Sequence, residues 1–189
     1  MSLKIGVVTR PKTGQDVSGD AHVIVESGGT LLVALADGLG SGPSAAHAAQ
    51  LAMDVIRSNA RTSLPDLLQL CHQTLQGTRG AVVGLLQITP ARGHVVYAAV
   101  GNIGCTTVSA TGFKPLSAYG IVGRRLPPAR PFEGVYTPGD LFALSTDGIN
   151  RKFSWNGLAS LNKDPQTLAE TIARHYARLD DDVTILVIR

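Results

Sequence analysis

Four aspartates share one kind of position in this sequence, because each lies at the end of a segment with strand character. Asp20 precedes such a segment, Asp37 and Asp147 each follow one, and Asp181 comes just before the last. Strand ends meet in space when the strands are neighbours, and gathered carboxylates repel one another unless a cation joins them. Oxygen ligands of this kind suit hard cations such as Mg²⁺ or Mn²⁺ rather than zinc. The joint pattern therefore favours a divalent metal site.

Glycine follows two of these aspartates, at Gly38 and Gly148. A glycine there permits a sharp turn, and its carbonyl is available as a further oxygen ligand. Asp-Gly is also a common turn dipeptide, and Asp180-Asp181-Asp182 alone is typical of a solvated corner before a strand. Each motif taken singly therefore has a plain structural explanation, and the metal site depends on their combination.

The segments that must position these residues are predicted from hydrophobic periodicity and turn residues. One helix is predicted over 43–58, and a second starts at Ser63, where Asp66 completes a capping-box variant. A third opens with Asp164 as N-cap and Pro165 as its first residue, and its apolar face runs to Leu179. Strands are predicted at 3–9, 21–26, 31–36, 81–89, 94–100, 105–110, near 134–136, at 140–145 and at 183–188.

The order of these segments predicts an α+β fold. Runs of strands with segregated helices favour it over an alternating doubly wound sheet. Short turns at 90–93 and 101–104 predict an antiparallel meander of the three strands between 81 and 110. Residues 112–139, rich in Pro, Gly and Arg, are predicted to be an excursion. The length of 189 residues favours a single domain over 1–189.

Composition excludes several classes of protein. Hydrophobic residues make up 44% and charged residues 16% of the chain, which excludes disorder. The longest apolar run, 31–36, is far too short for a membrane span. The net charge is +3, but basic residues adjoin only at Arg124-Arg125 and Arg151-Lys152, and no nucleic-acid module accompanies them. We therefore expect neither a membrane nor a nucleic-acid partner.

Cysteine usage and the first residues indicate the compartment. Cys71 and Cys105 are too few for a disulfide framework and do not form a CxxC pair. The N-terminus lacks the apolar core of a signal peptide. We expect a cytoplasmic protein.

Four ordered motifs make the chain resemble the PPM family of metal-dependent type 2C protein phosphatases, and especially its small bacterial SpoIIE-like branch. They occur in the family's order across nearly the whole chain, and together they are specific. The motifs are Ser18-Gly19-Asp20, Ala36-Asp37-Gly38-Leu39-Gly40-Ser41-Gly42, Ser145-Thr146-Asp147-Gly148-Ile149 and Asp181-Asp182-Val183-Thr184. Arg79-Gly80-Ala81 and Val100-Gly101-Asn102-Ile103-Gly104 add similarity to phosphatases that reset the bacterial stressosome.

The resemblance implies a four-layer αββα sandwich of two antiparallel sheets flanked by helices, with two Mn²⁺ or Mg²⁺ ions at one end. Asp37 would bridge both ions and the Gly38 carbonyl would bind one of them. Asp147 and Asp181 would complete the other, with Asp20 helping on the Gly38 side. A metal-activated water would then attack phosphorus, with Asp37, Asp147 and Asp181 as the catalytic residues.

The same resemblance implies a substrate and shows two departures. The substrate would be phosphoserine or phosphothreonine on a STAS-domain protein of a stressosome. Many family members carry an acid where this chain has Gly19. The arginine that grips phosphate in the animal enzymes has no counterpart, and Gln15 lies near its place; Arg10 or Lys12 in the same loop are candidates for that role.

Rival interpretations follow from the same residues. A dinucleotide-binding protein is disfavoured because the loop 38–42 lacks GxGxxG spacing and no strand–helix–strand unit follows. A metal-dependent nuclease is disfavoured because no basic groove is evident. A catalytically silent PPM-fold binding module stays as the alternative. The segment around Arg124, Arg125 and Arg130 is either a docking region or a solvated loop.

Overall fold

The computed structural model of this chain describes residues 3–128, 130–158 and 162–189. Within these ranges the chain forms nine strands and three α-helices, with short 3₁₀ turns at Pro90–Arg92 and Trp155–Gly157. The strands are β1 (Ile5–Arg10), β2 (Asp20–Ser27), β3 (Thr30–Gly38), β4 (Ala81–Thr89), β5 (His94–Val100), β6 (Gly104–Val108), β7 (Phe132–Val135), β8 (Leu141–Ser145) and β9 (Val183–Ile188). The helices are α1 (Pro43–Ser58), α2 (Leu64–Thr74) and α3 (Pro165–Tyr176).

The strands form two antiparallel sheets. One sheet has the order β1-β9-β8-β6 and the other the order β2-β3-β4-β5-β7. Helices α1 and α2 cover the five-stranded sheet, and α3 covers the four-stranded sheet. The described residues therefore form four layers, and the predicted α+β sandwich is confirmed.

Alternation along the strands separates three apolar cores. On β3, Leu32, Ala34 and Ala36 face α1 and α2, whereas Leu31, Val33 and Leu35 face the other sheet. The same division holds on β8 and β9, whose alternate residues pack either between the sheets or under α3. Full burial of each aliphatic side chain contributes roughly 1.5–3 kcal/mol. Strand β3 is apolar on both faces because it is covered on both.

Local signals determine the helix ends. The Ser63 hydroxyl accepts a hydrogen bond from the Asp66 N–H at 3.3 Å, and the Asp164 carboxylate accepts one from the Thr167 N–H at 3.1 Å. Each helix carries proline in its first turn, where no backbone donor is needed. The predicted bounds of α1 and the predicted starts of α2 and α3 are confirmed.

The predicted meander is wrong at its third strand. Strand β5 pairs with β4, but β6 belongs to the other sheet, where Gly104 pairs with Ser145 of β8. The chain turns at Gly101, which has φ 99° and packs so closely on Val82 that a Cβ would collide with that side chain. Ile103 is then buried between the sheets. The short connection is thus a crossing of the sandwich rather than a hairpin.

The predicted apolar face of α3 includes one residue, Leu179, that does not belong to the helix. The helix ends at Tyr176, and Ala177 is already extended. Leu179 is 69% exposed, because the chain has left the helix axis before it.

The excursion over 112–139 contains one short strand, β7, and residue 129 lies outside the described residues. Isolated bridges fasten its first part to the five-stranded sheet: Ala81 pairs with Val122 and Val100 with Ala118. A further bridge joins Ile121 to Arg125. None of the helices in the described ranges has the length and apolarity needed to cross a bilayer.

Candidate metal centre

The strand pleat directs several acidic and hydroxyl side chains into one end of the gap between the sheets. Asp37 continues the face of β3 that carries Leu31, Val33 and Leu35, and it lies opposite Asp20 in the β2–β3 register. From the other sheet, the alternation of β8 and β9 brings residues 146, 182 and 184 to the same gap. Residues distant in sequence therefore meet where the two sheets end.

A hydrogen-bonded chain links the sheets at this point. Thr146 Oγ1 donates to Asp20 Oδ2 at 2.9 Å, and the Thr184 N–H donates to Thr146 Oγ1 at 3.0 Å. Asp20 belongs to the five-stranded sheet, whereas the two threonines belong to the four-stranded one. Within the described residues, the buried Asp20 Oδ1 atom has no hydrogen-bond partner. A buried carboxylate oxygen without a donor is in place to accept a cation.

Burial and like charges act together on Asp37. Burial, reinforced by the negative charges of neighbouring aspartates, raises the pKa of Asp37 to about 8. Four carboxylates contribute to this repulsion: Asp20, Asp147, Asp181 and Asp182. A carboxyl group with such a pKa holds a proton at neutral pH unless a stronger positive charge replaces it.

The pKa of Asp20 is also raised, to about 7, chiefly by burial. Hydrogen bonds from Thr146 and Thr184 oppose this rise, and the charges of Asp182 and Asp147 add to it. These two cross-strand partners, Asp20 and Asp37, are thus the acids most strongly disfavoured as free anions.

The outer acids are oriented by polar neighbours. Asn102 Nδ2 donates to Asp147 Oδ2 at 2.7 Å, and Arg178 Nη1 lies 3.5 Å from Asp181 Oδ2. Burial and the charge of Asp147 raise the pKa of Asp181, and Arg178 partly opposes the rise. Asp147 and Asp181 therefore have defined positions at the edge of the site.

Asp182 fastens the loop between β1 and β2 to the site. Its Oδ1 accepts the Lys12 N–H at 2.9 Å and its Oδ2 accepts the Gly19 N–H at 2.8 Å, and the side chain is buried. A Cβ at position 19 would lie 3.0 Å from Asp182 Oδ2 and 3.2 Å from the Ala45 side chain. A larger residue at position 19 would therefore require Asp182 or Ala45 to shift by a few tenths of an ångström.

Close packing explains the glycines of the two Asp-Gly motifs. A Cβ on Gly38 would lie 2.0 Å from the carbonyl oxygen of Ala45, and one on Gly148 would lie 1.9 Å from that of Asp182. Neither glycine is among those with positive φ. The Gly148 carbonyl accepts the Arg178 N–H at 2.8 Å, so it already has a partner. Both glycines are required for backbone approach rather than for a left-handed turn.

A cavity of about 750 Å³ lies over the outer part of this cluster. Asp37, Asp147 and Asp181 line it, together with Arg125 and Arg151. Asp20 lies deeper, against the Thr146 hydroxyl. Three of the four predicted acids therefore open into one cavity, and the fourth supports them from below.

The two residues predicted to bind phosphate are not among those that line this cavity. Arg10 Nη2 donates to the Arg178 carbonyl at 2.8 Å, and the Lys12 backbone is held by Asp182. Their assignment to phosphate stays a prediction.

The donor set fits hard divalent cations. All its side-chain ligands are carboxylate oxygens, Asp20 carries an unpartnered buried oxygen, and burial and mutual repulsion disfavour the free anions of Asp20 and Asp37. Across the described ranges, no three Asp, Glu, His or Cys side chains already surround one point in a way that would hold an ion.

Three residues that hold the predicted ligands or their loop in place by hydrogen bonds were not identified from the sequence. Asn102 and Asp182 lie inside motifs, but their hydrogen-bond partners are distant along the chain. Thr146 precedes a predicted ligand, and its hydroxyl proves to be the link between sheets. The signals for Asp182 were its motif and the alternation of β9, which continues backwards to turn this member of the acidic triplet inward.

Comparisons with known proteins agree with this geometry. The family model described as Stage II sporulation protein E (SpoIIE) matches residues 27–189. The phosphoserine phosphatase RsbX of Bacillus subtilis (strain 168) is 28% identical over 141 residues, which are 74% of this chain and 71% of that protein.

Solved structures extend the comparison over the whole chain. A chain from a study of the bacterial stressosome as a modular system adapted to control secondary messenger signalling is 37% identical, with a TM-score of 0.95 and full coverage of both chains. RsbX in complex with magnesium has a TM-score of 0.86 at 23% identity, covering 98% of this chain and 94% of that one. At 23% identity, the similarity to the RsbX structure is a similarity of fold.

Proposed function

This chain belongs to the SpoIIE family of PPM-type protein phosphatases, and from that membership we propose that it removes phosphate from phosphoserine or phosphothreonine of a bacterial stress-signalling protein. One observation carries the proposal. Acids from both sheets meet at one end of the sandwich, where burial and mutual repulsion raise the pKa of Asp20 to about 7 and that of Asp37 to about 8. Such a cluster serves no stabilising purpose without cations.

We assign the cation ligands as the resemblance implies. Asp37 would bridge two ions, Mn²⁺ or Mg²⁺, with the Gly38 carbonyl and Asp20 on one side and Asp147 and Asp181 on the other. When bound, divalent cations supply a Lewis acid that lowers the pKa of a coordinated water and neutralises charge on a phosphate. The unpartnered oxygen of Asp20 and the oxygen-only donor set support this assignment.

The chain's own residues orient this site. Asn102 donates a hydrogen bond to one oxygen of Asp147 and so orients this carboxylate at the edge of the cavity. Thr146 holds Asp20 between the sheets, and Asp182 holds both ends of the β1–β2 loop against the cluster. The apolar core between the sheets closes the site from below, and burial there strengthens the charge interactions of Asp20, the deepest of the four acids.

The proposed partner is a phosphorylated STAS-domain protein of a stressosome. The support is similarity: one relative is a phosphoserine phosphatase and another chain comes from a stressosome study. A phosphoryl group on a protein loop must reach the acids through the cavity, whose volume of about 750 Å³ admits a phosphorylated side chain.

A dephosphorylation assay tests the proposal. The purified chain is incubated with a serine-phosphorylated STAS-domain protein, with Mn²⁺ or with a chelator, and phosphate release is measured. We expect turnover with Mn²⁺ only. Asp147→Asn is expected to lower kcat by about a thousandfold, which corresponds to about 4 kcal/mol of transition-state stabilisation.

The matched control is Asp16→Asn, because Asp16 is an exposed acid of the β1–β2 loop and does not line the cavity. It should keep wild-type turnover. Equal rates with chelator and with Mn²⁺ would contradict the metal-dependent function, and full activity of Asp147→Asn would contradict the ligand assignment.

A further inference from the structure

The chain contains two pairs of adjacent basic residues, and one member of each pair lines the acidic cavity. Arg125 of the pair Arg124-Arg125 lines it, as does Arg151 of the pair Arg151-Lys152. Their neighbours Arg124 and Lys152 do not. Two arginines from distant segments therefore line the cavity together with Asp37, Asp147 and Asp181, although the sequence alone assigned neither of them a role in catalysis.

The turn that carries Arg125 is fastened to the rest of the molecule. The Arg125 N–H and carbonyl pair with those of Ile121 at 2.9 Å each. Within this turn, Val122 is fully buried and pairs in both directions with Ala81 of β4. The Gly123 N–H donates to His72 Nδ1 at 3.0 Å, which ties the turn to α2. The position of Arg125 is thus set by the scaffold.

The two arginines of this pair have different partners. Arg124 Nε donates to the Arg79 carbonyl at 2.7 Å, away from the acids. Arg125 lines the cavity. In the described part of the chain, no carboxylate lies within ion-pair distance of the Arg125 or Arg151 guanidinium group. Both are therefore positive charges available to a ligand.

Arg151 is held by the turn that follows β8. The Ile149 N–H donates to the Thr146 carbonyl at 3.1 Å, and the Asn150 N–H donates to the Tyr176 carbonyl at 2.8 Å. Phe153 then anchors the chain in the core under α3. Arg151 thus follows the proposed ligand Asp147 at a short, fixed separation.

A phosphate monoester needs positive charge to enter this cavity. Its dianion is repelled by the carboxylates, and arginine offers a planar fork that binds phosphate oxygens through two charge-assisted hydrogen bonds. Arg10, predicted for this role, is hydrogen-bonded to the Arg178 carbonyl and does not line the cavity. We propose that Arg125 and Arg151 bind the phosphoryl group of the substrate. This inference rests on the proposed phosphatase function of the same cavity.

The test compares Arg125→Ala and Arg151→Ala with the neighbouring variants Arg124→Ala and Lys152→Ala. All four residues are exposed, so thermal melting should show folded proteins. With Mn²⁺ present, kcat/KM is measured for an aryl phosphate and for a phosphoserine protein, and Kd for inorganic phosphate is measured by calorimetry. We expect each cavity variant to lose roughly 10- to 100-fold in kcat/KM for both substrates and to raise Kd similarly. The neighbouring variants should stay within about twofold.

Two results overturn the inference. One is equal behaviour of cavity and neighbouring variants. The other is a loss confined to the phosphoserine protein, because the arginines would then bind another part of the partner. If the wild-type chain shows no turnover, the proposed function fails, and the calorimetric comparison alone decides the inference: equal or absent phosphate binding overturns it. Arg125→Lys should recover part of the loss, since lysine keeps the charge without the fork.

Discussion

At the scale of single residues, Asp20 and Asp37 are the acids whose free charges cost the fold most. They lie opposite each other on β2 and β3, and burial is the largest cause of the raised pKa of each. Their placement opposes stability in the chain without metal and favours cation binding. Acids of this kind mark function because packing alone would select apolar residues there.

The stability of the metal-free chain should therefore fall as pH rises. In the unfolded chain both acids lose their protons near pH 4, whereas the folded chain keeps them up to about pH 7 for Asp20 and about pH 8 for Asp37. Between pH 4 and pH 8 the folded state binds more protons than the unfolded state. The stabilisation that the two protonated acids contribute is therefore complete below pH 4 and is lost as pH rises through 7 to 8. Urea unfolding with chelator should show a decline on the order of 1 kcal/mol per pH unit for each acid.

Asp37→Asn provides the control for this pH dependence. The amide does not titrate, so the slope between pH 5 and pH 8 should be reduced by about half. A slope unchanged by the substitution would show that Asp37 is not the buried acid that the structure describes.

At the scale of elements, one carboxylate just before β9 holds both ends of the β1–β2 loop. Asp182 accepts both the Lys12 and the Gly19 N–H groups, and Gly19 directly precedes Asp20. The position of Asp20 is thus coupled to the acidic triplet at the other end of the sequence.

Asp182→Ala should destabilise the chain by about 2–4 kcal/mol, because it leaves two backbone donors without partners. Asp180→Ala is the matched control in the same triplet: the Asp180 side chain is 73% exposed and forms an ion pair with Arg178 at the surface. It should change the free energy of unfolding by less than about 0.5 kcal/mol. Urea unfolding measures both, and similar values for the two variants would contradict the role of Asp182.

Features of the fold that depend on neighbouring residues in the sequence were predictable. Features that depend on contacts between distant segments were not. The bounds of α1 and the caps Ser63 and Asp164 follow from residues within one turn of the helix. The sheet to which β6 belongs depends on β8, about 40 residues away in the sequence. The place of Arg125 in the cavity likewise depends on a turn fastened to α2 and β4.

At the scale of the whole molecule, the candidate ligands come from both sheets. Asp20 and Asp37 belong to the five-stranded sheet, and Asp147 and Asp181 flank strands of the four-stranded one. Their strand-end positions singled out these four acids in the sequence, the family resemblance implied their roles, and the alternation of the strands explains why they converge. Any cation bound by both groups would join the two halves of the sandwich.

Mn²⁺ should therefore stabilise the entire fold. Binding to the folded state alone adds about 2.7 kcal/mol when free Mn²⁺ is 100 times Kd, and this should appear as a higher Tm than with chelator. Asp147→Asn should lose most of that increment, whereas Asp16→Asn should keep it. Equal melting with Mn²⁺ and with chelator would show that the ion does not bind the folded chain.

The register of the β2–β3 hairpin makes the position of Asp20 sensitive to the length of the turn that joins the two strands. Eight residue pairs run from Ser27 opposite Thr30 at the turn to Asp20 opposite Asp37 at the acids, and β4 holds β3 in place. Deleting or inserting one residue at Gly28-Gly29 would slide β2 by one position and turn its side chains to the opposite face. A two-glycine connection at the remote end of the sandwich thus sets which side chain of β2 lies opposite Asp37, and its length is as restricted as the identity of the acids.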